Sequence, residues 1–218
     1  DVCSSDLVAF GTFRNGHLKL SGFNVNSGVY TIEFWLYLVE NPAIEASIFS
    51  MRSSRNSALG INLTISNSIL TLYLNSSNSS NSIWSTTLTT AFSTFNSWTH
   101  VAMVCNPLDS GGIPFRFFVG GVQKLTNSID IRNELYDNSN IIFNECDPNM
   151  SQYSGIYGYK PVMTGKSFYG YIDDIRVSNN ARYSSGFTVP SSAFTSDSNT
   201  LYLLNCDSIS SLNPSNLM

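Results

Sequence analysis

An alternation of apolar and polar residues with a period of two runs along nearly the whole chain, and it limits the fold more than any other feature. From Val29 to Val39 the run VYTIEFWLYLV puts Tyr30, Ile32, Phe34, Leu36 and Leu38 on one side of an extended strand. Glu33, Trp35 and Tyr37 fall on the other side. A side that is apolar at every step belongs against a core. Further strands are predicted at 7–13, 17–20, 47–51, 58–65, 69–74, 98–104, 115–119, 128–131, 141–143, 168–177 and 200–204. Turn chemistry separates them: NSSNSSN at 75–81, DSGGIP at 109–114, and a Gly120-Gly121 pair suited to a two-residue hairpin. No stretch holds a 3.6-residue period beyond two turns, and the best helical segment, around Asn179–Tyr183, is a single turn. Many short strands with regular turns predict an all-β, antiparallel β-sandwich or barrel. With no internal repeat and no linker, the 218 residues read as one domain.

Hydrophobic residues make up 42% of the chain, enough for a core, while charged residues reach only 12%, roughly half the usual share. Ser, Asn and Thr supply the surface polarity, which suits an extracellular or particle-borne protein, and the composition excludes intrinsic disorder. The 11 basic residues are scattered and the net charge is −4. Nucleic-acid binding, which needs a basic stripe, is therefore not expected. No apolar run approaches the roughly 20 residues that span a bilayer, so membrane insertion is not expected either. A chain opening at Asp1 without a leader segment is expected to be a processed protein or a piece of a longer one. Cys3, Cys105, Cys146 and Cys206 are widely spaced with no C-x-x-C pair, a poor pattern for zinc. Three disulfide connectivities or four buried thiols stay open.

Four segments in order resemble the laminin-G-like family of concanavalin A-like jelly-roll domains. They are YTIEFWLYL at Tyr30–Leu38, FNSWTHVAMV at Phe95–Val104, FFVGGV at Phe117–Val122 and FYGYIDDIRVSNNARY at Phe168–Tyr183. In the third, Gly120 stands where that family commonly has an aspartate, so any role of that side chain is lost. The continuation SSGFTVPSSAFTSDSNTLYLLNCD at Ser184–Asp207 is similar to such domains in virion proteins of tailed phages. The resemblance spans about 28–207. It implies a concanavalin A-like antiparallel sandwich with its terminal strands adjacent. It also implies a virion-surface or extracellular setting, with glycans, a host-surface receptor or other virion or surface proteins as partners.

Simple alternation through FYGYIDDIRV puts Tyr169, Tyr171, Asp173, Ile175 and Val177 on one face and Phe168, Ile172, Asp174 and Arg176 on the other. Asp173 beside core-directed Ile175 and Val177 then needs a partner, because a bare buried carboxylate costs several kcal/mol. Backbone N–H groups of a neighbouring loop are the first expectation and a calcium ion the second. Calcium is the only cofactor the sequence suggests. No catalytic residue is assigned. Glycoside hydrolysis needs two carboxyl groups on one face, about 5–5.5 Å or 6.5–9.5 Å apart, and no E-x-D-x-E type run exists. His100 reads as a structural histidine, and no G-x-S-x-G accompanies it. Ligand-binding candidates are the loop aromatics Trp84, Tyr153 and Tyr157, which could stack on a sugar ring. The N-x-[ST] sequons at Asn62, Asn75, Asn78 and Asn149 matter only on a eukaryotic secretory route. The leading expectation is a non-catalytic virion surface or fibre module that mediates attachment. A purely structural spacer or cementing domain and a secreted lectin-like adhesin domain are the alternatives.

Overall fold

The structure, a computed structural model, describes residues 8–10, 18–20, 28–52, 60–77, 83–127, 140–143 and 168–205. In chain order these hold β1 (Val8–Phe10), β2 (Leu18–Leu20), β3 (Tyr30–Leu38), β4 (Ala46–Arg52), β5 (Gly60–Ser66), β6 (Ile69–Ser77) and β7 (Ile83–Ala91). There follow β8 (Trp98–Cys105), β9 (Phe115–Val119), β10 (Val122–Asn127), β11 (Asn140–Phe143), β12 (Gly170–Ser178) and β13 (Thr200–Leu204). They form two antiparallel sheets. A seven-stranded sheet runs β1-β12-β3-β8-β9-β10 with β13 also on β12, and a six-stranded sheet runs β2-β11-β4-β5-β6-β7. The all-β sandwich expected from the period-two pattern is the fold observed. β1 and β13 share one flank of β12, at Gly170–Ile172 and Ile175–Ser178, so the first and last described strands are near neighbours.

The core lies between the sheets. Tyr30, Ile32, Phe34, Leu36 and Leu38 of β3 are all fully buried, and Phe34 packs its ring against Phe49 and Phe143 of the opposite sheet. Trimming one methylene here is felt: Ile32→Val should cost about 0.5–1.5 kcal/mol in denaturant unfolding. Cys105 is buried at the end of β8, whereas Cys3, Cys146 and Cys206 lie outside the described residues. The Gly120-Gly121 turn joins β9 to β10 with φ of 59° and 74°. Positive φ at both central positions is what a type I′ hairpin requires, and glycine supplies it without a Cβ clash.

Several expectations need correction. The sequence predicts no strand at 83–91, where β7 lies; IWSTTLTTA is threonine-rich, and β-branched threonine favours a strand. Trp84 is therefore in a strand, paired with Ser76 of β6, and not in a loop. β10 was not foreseen at Val122–Asn127, and the predicted strand at 128–131 falls outside the described residues. The single helical turn at Asn179–Tyr183 is absent: that segment is irregular. The simple alternation through β12 also fails. Asp173 is opposite Trp35 and Arg176 is opposite Glu33, so Asp174 and Ile175 together face the single residue Phe34. This bulge shifts the phase. Asp173 lies with Arg176 on the outer face, while Ile172, Ile175 and Val177 fill the core.

A locked carboxylate and an open aromatic row

The bulge is built by the two aspartates. Asp174 takes φ 45°, a left-handed conformation that Asp tolerates better than most residues, and its N–H donates to Asp173 Oδ1 at 2.8 Å. The donor is the next residue of the same strand and not, as expected, a neighbouring loop. Both carboxylates are nearly buried. Among the described residues no three His, Cys, Asp or Glu side chains gather as a metal site.

The phase shift decides what shares the outer face of the seven-stranded sheet. Reading across β12, β3 and β8, one row holds Tyr171, Tyr37 and Trp98. The next holds Asp173, Trp35 and His100, and a third holds Arg176, Glu33 and Ala102, extended by Phe118 of β9. The fourth is Ser178, Thr31, Val104 and Arg116.

At the third row the face is sealed. Glu33 is fully buried and surrounded by donors. Its Oε1 accepts from Arg176 Nε at 2.8 Å and Nη2 at 2.7 Å. Its Oε2 accepts from Tyr183 OH at 2.7 Å and His100 Nε2 at 3.1 Å. A carboxylate only accepts, so His100 carries its proton on Nε2. Burial pushes the Glu33 pKa up, but the hydrogen bond from His100, the charge of Arg176 and the hydroxyl of Tyr183 outweigh it and hold it below the ordinary 4.5. The Tyr183 phenol moves up, through burial first and then the Glu33 charge. His100 Nδ1 is buried without a hydrogen bond, walled by the rings of Trp35, Phe187 and Phe194 at 5.5–5.7 Å.

What seals the row is the chain between β12 and β13, residues 179–199, which crosses the sheet as a strap. Tyr183 and Phe187 stack at 3.6 Å and 8° and meet Phe118 edge-on over Ala102 and Val104. Arg176 sits 4.3 Å over the Phe194 ring. Thr31 Oγ1 donates to the Asn180 carbonyl at 2.7 Å, and Phe187 N–H donates to the Gly121 carbonyl at 2.9 Å. Arg182 makes a two-pronged pair with Asp197 at 2.9 and 2.8 Å, which holds the Asp197 carboxyl well below its usual range. No single-sequence signal announces this cluster, since its members lie up to 150 residues apart.

At the first row the rings are partly exposed. Tyr171, Tyr37 and Trp98 are each half-buried, with ring centroids 5.6 and 5.4 Å apart and edge-tilted packing. No hydrogen bond among the described residues engages their hydroxyls or indole N–H. Of the loop aromatics proposed from sequence, Tyr153 and Tyr157 lie outside the described residues, and Trp84 belongs to the other sheet. On that sheet Glu45 Oε1 takes the hydroxyls of Thr64 and Tyr73, both at 2.6 Å. The sequon at Asn62 is buried in β5.

The sequence profile of the concanavalin A-like lectin/glucanases superfamily matches residues 10–185. The chain belongs to that superfamily. Solved structures share the superfamily fold at low identity. A native heptameric SAP-like pentraxin from Limulus polyphemus matches with TM-score 0.53 and 16% identity, over 82% of this chain and 78% of that one. The IT-sialidase CBM40 of Ruminococcus gnavus matches with TM-score 0.51 and 13% identity, over 84% and 95%. The same domain bound to α2,3 sialyllactose matches with TM-score 0.51 and 12% identity, over 83% and 92%. At these identities the likeness carries the fold alone. No curated protein matches the sequence. No helix among the described residues of this superfamily member is long and apolar enough to cross a membrane.

Proposed function

We propose that this superfamily member is a non-catalytic glycan-binding module displayed on a virion or other extracellular surface. The observation that carries the reading is the two-part outer face of the seven-stranded sheet. Partly exposed aromatic rings, which suit sugar stacking, stand at one end, and the carboxylate towards the other end is tied to four donor groups. Glu33 so placed has no route to a scissile bond, which supports a binding role over hydrolysis. The carbohydrate-binding CBM40 shares this fold and adds support. Virion display rests on the resemblance of Ser184–Asp207 to tailed-phage domains, and immunolabelling of assembled particles tests it.

The binding test is a broad glycan panel probed with the intact chain, once with calcium and once with a chelator. Selective binding is expected in both arms. Loss of binding in the chelator alone would give the site a calcium ion, with Asp173 as its first candidate ligand. Silence in both arms would overturn the glycan reading and leave a structural spacer.

A further inference from the structure

We propose that the row Tyr171–Tyr37–Trp98 is a stacking platform for an uncharged pyranose; the proposal rests on the glycan-binding reading and names its site and ligand class. The three residues stand in register on the neighbouring strands β12, β3 and β8, so the backbone ladder fixes their spacing. A sheet is a stiffer support than a loop, and a site carried on it needs little ordering when ligand arrives. Their edge-tilted packing leaves each ring half-buried, with part of its surface exposed for the axial C–H groups of a sugar. The two phenol hydroxyls and the indole N–H, which no hydrogen bond among the described residues engages, can meet sugar hydroxyls at the rim.

Charge selects among sugars. A free cation within reach would favour an acidic sugar, and Arg176, Arg182 and Arg116 are each already committed. Arg176 is held by Glu33, the Thr195 carbonyl and the Phe194 ring. Arg182 is held by Ser178 and Asp197, and Arg116 by Asp109 and the Ile113 carbonyl. The row adjoining the platform instead carries the carboxylate of Asp173. A carboxylate in the adjoining row, with the guanidinium groups of Arg116, Arg176 and Arg182 held elsewhere, favours a neutral pyranose over a sialylated or uronic one.

The test measures binding of neutral gluco-, galacto- and manno-oligosaccharides, with sialyllactose as the charged probe, to the full chain and its variants. Trp98→Ala and Tyr171→Ala should each weaken neutral-sugar binding about ten-fold or more, while Trp98→Phe and Tyr171→Phe keep a ring and stay within a few-fold of the parent. Saturation-transfer NMR on the unaltered protein reads the same contact without a variant: irradiating aromatic protons should mark the sugar ring protons. Neutral binding that survives both alanine changes in folded protein, or shows no transfer from aromatic protons, places the sugar elsewhere and overturns the platform while the glycan reading stands. A preference for sialyllactose overturns the charge argument. Binding of no probe at all overturns the glycan reading and the platform together.

Discussion

Replacing Glu33 by glutamine should destabilise the protein by about 3–5 kcal/mol, read as a lowered midpoint in denaturant unfolding. The size follows from what the substitution leaves behind. Arg176, His100 and Tyr183 all aim donors at the carboxylate, and Glu33 itself is fully buried. An amide can accept at one end only; its N–H₂ then confronts further donors, and the Arg176 charge keeps no counter-ion in a nearly dry site. The strap over Ala102, Val104 and Phe118 loses its polar anchor at the same stroke. The acid profile gives a second readout. Glu33 is held below its ordinary 4.5 in the folded protein, so the stability it contributes is complete above that value. Lowering the pH through the folded-state pKa removes that contribution. The parent should therefore lose stability in acid more steeply than Glu33→Gln. Matching acid slopes, or a loss under about 1 kcal/mol, would show that the ion cluster does little to hold the strap.

Gly121→Ala should be the costlier of two neighbouring glycine substitutions, by roughly 2–4 kcal/mol against about 1 kcal/mol for Gly120→Ala. Both residues have positive φ, so both substitutions carry the left-handed backbone cost. Only Gly121 carries a second one. A Cβ there would run into the backbone carbonyl of Phe187, deep inside van der Waals contact, and would lie 3.0 Å from Val189 Cγ2. At Gly120 the same atom meets nothing within 4 Å. The Phe187 carbonyl belongs to the strap, and the neighbouring Phe187 N–H donates to Gly121, so the hairpin and the strap cannot separate without breaking that bond. Thermal unfolding of the two variants side by side measures the difference. Equal losses would mean that the strap yields freely, and the seal over the third row would then be looser than its contacts imply.

The aromatic row shows how far a sequence can be read for a site. Its three members sit in the motifs that announced the fold: Tyr37 in YTIEFWLYL, Trp98 in WTHVAMV and Tyr171 in FYGYIDDIRV. Simple alternation places Tyr37 outward but puts Tyr171 on the face of core-directed Ile175 and Val177, and the sequence candidates for sugar stacking are instead Trp84, Tyr153 and Tyr157. Strand pairing, not local composition, brings Tyr171, Tyr37 and Trp98 into one row. Residues far apart in sequence become neighbours only when register is known, and no single strand reveals its register.

By itself the sequence determined the class of fold, the composition of the core and the tightest hairpin. Period-two burial leaves an extended chain only one way to hide Tyr30, Ile32, Phe34, Leu36 and Leu38, and adjacent glycines at 120 and 121 can both take positive φ. Only the tertiary structure decided which polar groups meet. One extra residue in β12 at Asp174 reverses the side-chain phase, carries Arg176 onto Glu33 and moves Asp173 out of the core row. An irregular strap with no periodicity to announce it then closes over that ion cluster. Alternation is a local property and survives in a linear reading. Phase shifts and crossings are set by pairing energies between distant segments, so they exist only once the sheets have formed.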